Sequence, residues 1–264
     1  MSLIDSHAHL DDQRFDEDRE EVIKRAKENG LSNIINIGHD MQSSRSSVQL
    51  AEKYPFIFAA VGVHPHDAKD VPNDYLKQLE ELSRHDKVLA IGEIGLDYYY
   101  DMSPREVQKK VFLEQLNLAK ELNMPVIVHL RDAYGDFLEI MRKERLEPTT
   151  GVMHCFSGSS EVAKECLDMG FYISFAGPIT FKNAPKVREA ASQVPLNKLL
   201  VETDCPYLTP VPYRGKRNEP AYVQYTAEQL ATVKEISIEE LSSAVTDNTK
   251  KLFGNKNGGV SFEG

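Results

Sequence analysis

Apolar residues in this chain gather into short solid runs. The runs alternate with longer stretches in which an apolar residue returns every third or fourth position. Such mostly apolar runs occupy residues 33–38, 56–63, 88–91, 125–128, 151–153, 171–175 and 199–201, and one more opens the chain around Ile4. Each is short for a helix and mostly apolar without a sustained polar alternation, the pattern of a strand buried on both sides in a parallel sheet. The stretches between them predict helices over 16–29, 43–53, 75–84, 104–122, 134–145, 160–169 and 185–193, with a closing pair over 222–234 and 238–253. Val22, Ile23 and Ala26 line the first helix, and Asn29-Gly30 stops it. Pro104 is placed as the first residue of the fourth, and Gly170 closes the sixth. Eight strand–helix units in 264 residues predict an α/β protein, a (β/α)8 TIM barrel. It is expected as a single domain over 1–254, followed by a flexible tail over 255–264. An open doubly wound sheet is the alternative.

Composition agrees with a globular domain of that size, at 41% hydrophobic and 27% charged. No run approaches the ~20 apolar residues of a membrane span, and the N-terminus lacks the basic-then-apolar plan of a signal peptide. Cys155, Cys166 and Cys205 cannot all pair and none sits in a CxxC. A reducing, cytoplasmic setting is therefore expected, with no membrane association and no obligate protein partner evident. The net charge of −10 argues against a broad basic surface coating a duplex. Bound cations could still supply positive charge where a phosphate sits.

The strand ends change this picture. His7 and His9 stand two apart, so in an extended strand both point to one face. His64 and His66 follow the third strand, Glu93 the fourth, His129 the fifth, His154 the sixth and Asp204 the eighth. Six of the eight histidines thus stand at strand ends, and His39 and His85 lack such a pattern. Singly, each residue has an ordinary explanation: a hydrogen-bonded core histidine, a capping glutamate, a turn-forming aspartate beside Cys205-Pro206. Jointly they fall at one mouth, because a barrel gathers the C-terminal ends of its strands around its active site. His7, His9, Glu93, His129, His154 and Asp204 are four histidines and two carboxylates. That donor set suits borderline divalent metals and is too poor in oxygen for calcium. Six ligands exceed one tetrahedral zinc and point to two ions, with a carboxylate able to bridge them. Such a pair polarises an oxygen, acidifies water and stabilises a leaving oxygen, which is hydrolysis of an ester, amide or phosphodiester. Asp204 is the expected acceptor of the water's proton.

With these residues in their motifs, the chain resembles the TatD family of metal-dependent hydrolases, within the amidohydrolase-like superfamily. The matching segments are Asp5-Ser6-His7-Ala8-His9-Leu10, Val61-Gly62-Val63-His64-Pro65-His66, Ile91-Gly92-Glu93-Ile94-Gly95-Leu96-Asp97-Tyr98, Val126-Ile127-Val128-His129-Leu130-Arg131, His154-Cys155-Phe156-Ser157-Gly158 and Val201-Glu202-Thr203-Asp204-Cys205-Pro206-Tyr207-Leu208. The resemblance implies a TIM barrel and a deoxyribonuclease, often a 3′-to-5′ exonuclease on single-stranded DNA ends, with two divalent ions such as Mg2+, Mn2+ or Zn2+. It implies that His7, His9, Glu93 and Asp204 hold one ion, and Glu93, His129 and His154 the second. It further implies that His64 faces the scissile phosphate, with Arg131 a second substrate-binding candidate. The competing functions are hydrolysis of another small phosphodiester, lactone or amide at the same site, and a metal-containing nucleic-acid binder without catalysis. Around the site, Arg214 and Arg217 are candidates to face phosphate, and Lys216 is expected in solvent. Tyr99 and Tyr100 are expected to pack over the mouth, and Tyr98 either to pack or to stack on a base.

Overall fold

Eight parallel strands pair in strict sequence order among the described residues, which are 2–144, 150–254 and 262 of this computed structural model. The strands and helices alternate as β1 (Leu3–Ala8), α1 (Arg19–Glu28), β2 (Leu31–Ile37), α2 (Met41–Lys53), β3 (Ile57–Val61), α3 (Tyr75–Ser83), β4 (Val88–Asp97), α4 (Arg105–Glu121), β5 (Val126–Arg131), α5 (Tyr134–Lys143), β6 (Gly151–Met153), α6 (Ser160–Asp168), β7 (Tyr172–Phe175), α7 (Pro185–Gln193) and β8 (Leu199–Val201), with α8 (Val223–Lys234) and α9 (Ile238–Phe253) closing the chain. The sheet curls until its edges meet. Ala8 bridges Cys205, His9 N donates to Cys205 O at 2.8 Å, and Asp204 N donates to His7 O at 2.9 Å. The predicted (β/α)8 barrel forms, and the open sheet does not.

Two apolar layers hold it. Ile4, Ile35, Phe58, Leu89, Ile127, Val152 and Leu200 belong to a cluster inside the barrel. Alternate strand residues such as Ile34, Ile91, Val128, Met153 and Val201 join the larger cluster with the inner faces of the helices. A strand with both faces in apolar company shows no polar alternation, which is why the solid runs read as strands. Helix starts are set by side-chain caps where the chain supplies them. Asp40 and Ser43 form a capping box on α2, and Ser159 and Ser237 cap α6 and α9.

Some boundaries differ from expectation. Pro104 is the N-cap of α4, with ψ 135°, so the helix starts at Arg105. Its carbonyl already accepts from Val107 N and Gln108 N, the role of a capping residue. β4 runs ten residues, to Asp97, because Ile94, Gly95, Leu96 and Asp97 keep pairing with β5. Glu93 therefore lies within β4 and His129 within β5, rather than just past their ends. The expected helix end at Arg145 lies outside the described residues, as does the expected flexible tail apart from Phe262. Phe262 is buried, with its ring centroid 4.8 Å from that of Phe58. All three cysteines are free, and no described helix is long and apolar enough to cross a membrane.

Candidate metal centre

Alternation aims most of the candidate residues inward. Ile127 and Val152 point into the barrel, so His129 and His154, two residues further on, do the same. His7 needs more. Strict alternation from interior Ile4 would face it outward, yet Ala8 packs with the outer cluster. The pairing with β2 shifts register between Asp5 and Ala8, and that irregularity turns His7 and His9 into the mouth. Asp204 sits at φ 56°, a left-handed conformation that aspartate tolerates better than most residues.

The six predicted ligands converge as two overlapping groups that share Glu93. In one, His7 Nε2 and His9 Nε2 lie 3.2 Å apart. Glu93 Oε2 is 3.4 Å and 3.7 Å from them, and Asp204 Oδ1 is 3.6 Å and 3.5 Å away. In the other, Glu93 Oε1 is 2.9 Å from His129 Nδ1 and 2.8 Å from His154 Nε2, which are 3.1 Å from each other. Bonds of about 2.0–2.1 Å in a tetrahedron place donor atoms about 3.3–3.4 Å apart, so the first group has the spacing of a metal site.

Hydrogen bonds behind the rings fix which nitrogen faces inward. His9 Nδ1 lies 3.0 Å from Ile37 O, His129 Nε2 lies 3.2 Å from Asp97 Oδ2, and His154 Nδ1 lies 3.2 Å from Glu202 Oε1. Those oxygens only accept, so these nitrogens carry the protons and the opposite lone pairs face one another and the carboxylates. Inward lone pairs on nitrogen and oxygen repel unless protons or cations lie between them. The donor set therefore fits divalent metal. His64 differs: its Nδ1 accepts from His66 N at 3.1 Å, which leaves the proton on Nε2, 3.5 Å from Glu93 Oε1. His64 thus presents a donor where its neighbours present lone pairs.

The electrostatics follow. Burial would raise the Glu93 carboxyl, but the imidazoles of His154, His64 and His7 hold it well below the usual range. Burial also opposes charge on His154, yet Glu93 and Glu202 raise its pKa well above the ordinary histidine value. His9 is pushed up to about 9, as Asp204 and Glu93 outweigh burial. His7 and His64 are lowered, first by burial and then by a neighbouring imidazole, His154 and His129 respectively.

Three acidic residues escaped the sequence reading. Glu202 Oε1 accepts from His154 and from Cys155 N, and one ligand atom each of His7, His154 and Glu202 fall within 4.8 Å of one another. Glu202 Oε2 and His7 Nδ1 are both buried without a hydrogen-bond partner. Asp97 Oδ2 faces His129 Nε2 and, at 2.9 Å, His66 Nε2. Asp5, fully buried, accepts from Thr203 N, Thr203 Oγ1 and His7 N, tying β1 to the Asp204 turn. Burial pushes its carboxyl up to about 8. A signal existed for the first two: Glu202 shares the parity of Asp204, and Asp97 that of Glu93.

At the rim, Arg131 lies over the rings of Tyr99 and Tyr100, 3.9 Å and 4.8 Å from their centroids. Packing fails for Tyr99 and Tyr100, and Tyr98 takes the packing one of its two expected roles. Tyr98 packs, its hydroxyl donating to Asp136 and Arg105 covering its ring, whereas Tyr99 and Tyr100 are 59% and 57% exposed. Asp97 sets this turn by accepting the N–H groups of both exposed tyrosines. Arg217 does not stand free for phosphate: it pairs with Asp18, donates to Arg14 O and covers Phe15. His39 and His85 stay outside the donor groups, facing Asp67 and Glu52.

The family described as TatD related DNase matches residues 4–254. The uncharacterized metal-dependent hydrolase YabD of Bacillus subtilis is 52% identical over 251 residues, covering 95% of this chain and 98% of that protein. The 3′-5′ ssDNA/RNA exonuclease TatD of Pantoea vagans is 34% identical over 257 residues, covering 95% and 99%. The crystal structure of YJJV, a TatD homolog from Escherichia coli, superposes with a TM-score of 0.89 at 34% identity, covering 95% of this chain and 97% of that one. With a barrel of matching topology and a buried donor set that fits divalent metal, the chain belongs to the TatD family of metal-dependent hydrolases.

Proposed function

We propose that this chain hydrolyses phosphodiester bonds of DNA, working as a 3′-to-5′ exonuclease on single-stranded ends. The observation that carries the reading is Glu93, whose two oxygens each face a different group of histidines. A carboxylate placed so would serve two divalent cations at once. His7, His9, Glu93 and Asp204 would hold one ion, and Glu93, His129 and His154 the other. Bound there, the ions would supply Lewis acidity to a phosphoryl oxygen and lower the pKa of the attacking water. Asp204 accepts that water's proton. It is buried, which alone would raise its carboxyl, but His9 and His7 keep it low and therefore ionised at neutral pH. His64 donates from Nε2 to a non-bridging phosphate oxygen, and Arg131 contacts the strand at the rim. The name of the Pantoea relative supports the choice of substrate.

The test is cleavage of end-labelled single-stranded DNA with Mg2+, Mn2+ or Zn2+, beside the Asp204→Asn variant. The parent should shorten the strand from its 3′ end, and the variant should retain fold and DNA binding without cleaving. Equal cleavage by the variant would remove Asp204 from its role. Turnover of lactones or amides with no nucleolysis would move the substrate elsewhere, and DNA binding without cleavage under every metal would leave a binder.

A further inference from the structure

The large apolar side chains that stand most exposed among the described residues lie on just two loops: Tyr99, Tyr100 and Met102 after β4, and Tyr207, Leu208 and Val211 after β8. In a ring of eight strands in sequence order, β4 and β8 are diametrically opposed. The two loops therefore face each other across the mouth that holds the donor groups. Exposed aromatic surface confined to two places flanking one site is a pattern that a ligand explains.

Neither aromatic wall is loose. Asp97 Oδ1 accepts from Tyr99 N at 3.0 Å and Tyr100 N at 2.9 Å, while its other oxygen faces His129. Tyr207 N donates to Asp204 O at 2.9 Å, and the Tyr207 ring stands 6.2 Å from that of His9. Each wall thus hangs from a member of the donor set or from the carboxylate that orients one. Each also carries a guanidinium, Arg131 over Tyr99 and Tyr100, and Arg14 over Tyr207 at 4.1 Å. In a chain of net charge −10, flat rings and arginine meet where an anionic strand would enter; Arg131 supplies the cation, since Arg14 already pairs with Asp12 at 2.7 Å. Aromatic faces beside arginine suit nucleobases with their phosphates. A small lactone or amide would leave both walls unused.

We propose that these walls are two stacking subsites, holding the nucleobases on either side of the phosphodiester bond that is cleaved. The inference rests on the phosphodiesterase reading above. It also accounts for a single-stranded end as substrate, since bases taken by opposite walls cannot remain stacked and paired in a duplex.

The test uses the full chain with Mn2+ and two single-stranded oligonucleotides of one sequence, differing only in whether the terminal two nucleotides carry bases or are abasic. The quantity read is the ratio of kcat/KM, base-bearing over abasic, so that a loss of metal or fold common to both substrates cancels. The parent ratio should be on the order of tenfold per stacked base. It should fall toward one in Tyr207→Ala and in the Tyr99→Ala, Tyr100→Ala double variant, and Tyr207→Phe, which keeps the ring face, should retain it. For a variant too slow to give a ratio, a terminal 2-aminopurine bound to Asp204→Asn protein reads stacking directly: quenched with the tyrosines present, bright without them. Equal cleavage of both oligonucleotides by the parent, or alanine variants with the parent's ratio and quenching, overturns the stacking subsites and leaves the phosphodiesterase reading standing. A parent that cleaves neither oligonucleotide overturns both.

Discussion

Glu202 Oε1 lies 3.2 Å from His154 Nδ1, on the opposite edge of the imidazole from Glu93. A carboxylate behind a histidine fixes its tautomer and raises its basicity toward a metal in front. Glu202→Gln keeps the volume and an acceptor oxygen but removes the charge. Divalent-metal affinity should fall by about 10–100-fold with the circular dichroism spectrum unchanged. Competition against a coloured chelator measures this, and parent-like affinity would show that Glu202 contributes only packing.

Glu202 also marks where the sequence stops being legible. Strand phase made His129 and His154 readable, because each directly follows an apolar run and stands two residues beyond an interior side chain, Ile127 and Val152. Glu202 and Asp204 share a parity, and nothing in their motif says which carboxylate faces the ligands and which stands behind them. That is decided by the left-handed turn at Asp204 and by the hydrogen bond from its N–H to His7 O, across the barrel seam. The inward turn of His7 was likewise hidden, since the register shift that produces it belongs to the pairing of β1 with β2. Tyr99 and Tyr100 followed the general rule that aromatics pack. The rule yields here to Asp97, which fixes their backbone while leaving their rings outside.

Gly95 lies between Glu93 and Asp97 with φ 150°, and a Cβ placed there would sit 1.9 Å from His129 O. No side-chain rotation relieves a clash with backbone. Gly95→Ala should cost about 3 kcal/mol or more in denaturant unfolding, and should weaken metal binding because it separates β4 from β5 at the level of two ligands. A variant as stable as the parent would mean that the strands approach less closely than this.

Phe262 packs with Phe58, Leu252 and Phe253 in the interior cluster. Phe58 lies near the start of β3, so this contact is at the end of the barrel remote from the donor groups. Phe262→Ala should lower stability by about 1–3 kcal/mol and leave metal affinity intact. Urea unfolding and the same chelator titration separate the two effects. An unchanged unfolding midpoint would return residue 262 to the flexible tail expected from the sequence.

Metal and protons compete for the same inward lone pairs, and His9 is one of the rings at which they do. Its folded pKa, about 9, stands above the ordinary 6.5 because Asp204 and Glu93 outweigh burial. A raised histidine contributes stability that is fully present below pH 6.5 and is lost as pH rises toward 9. The metal-free protein should therefore lose thermal stability across that window. Metal requires the neutral ring, so its affinity rises over the same interval as the proton leaves. The gain in Tm on adding Mn2+ should widen from pH 6.5 to 8.5 by roughly 5–10 °C, and His9→Gln should flatten the trend. Scanning calorimetry of both proteins with and without metal reads it directly, and a gain that shrinks with rising pH would mean that protons and cation do not share this ring.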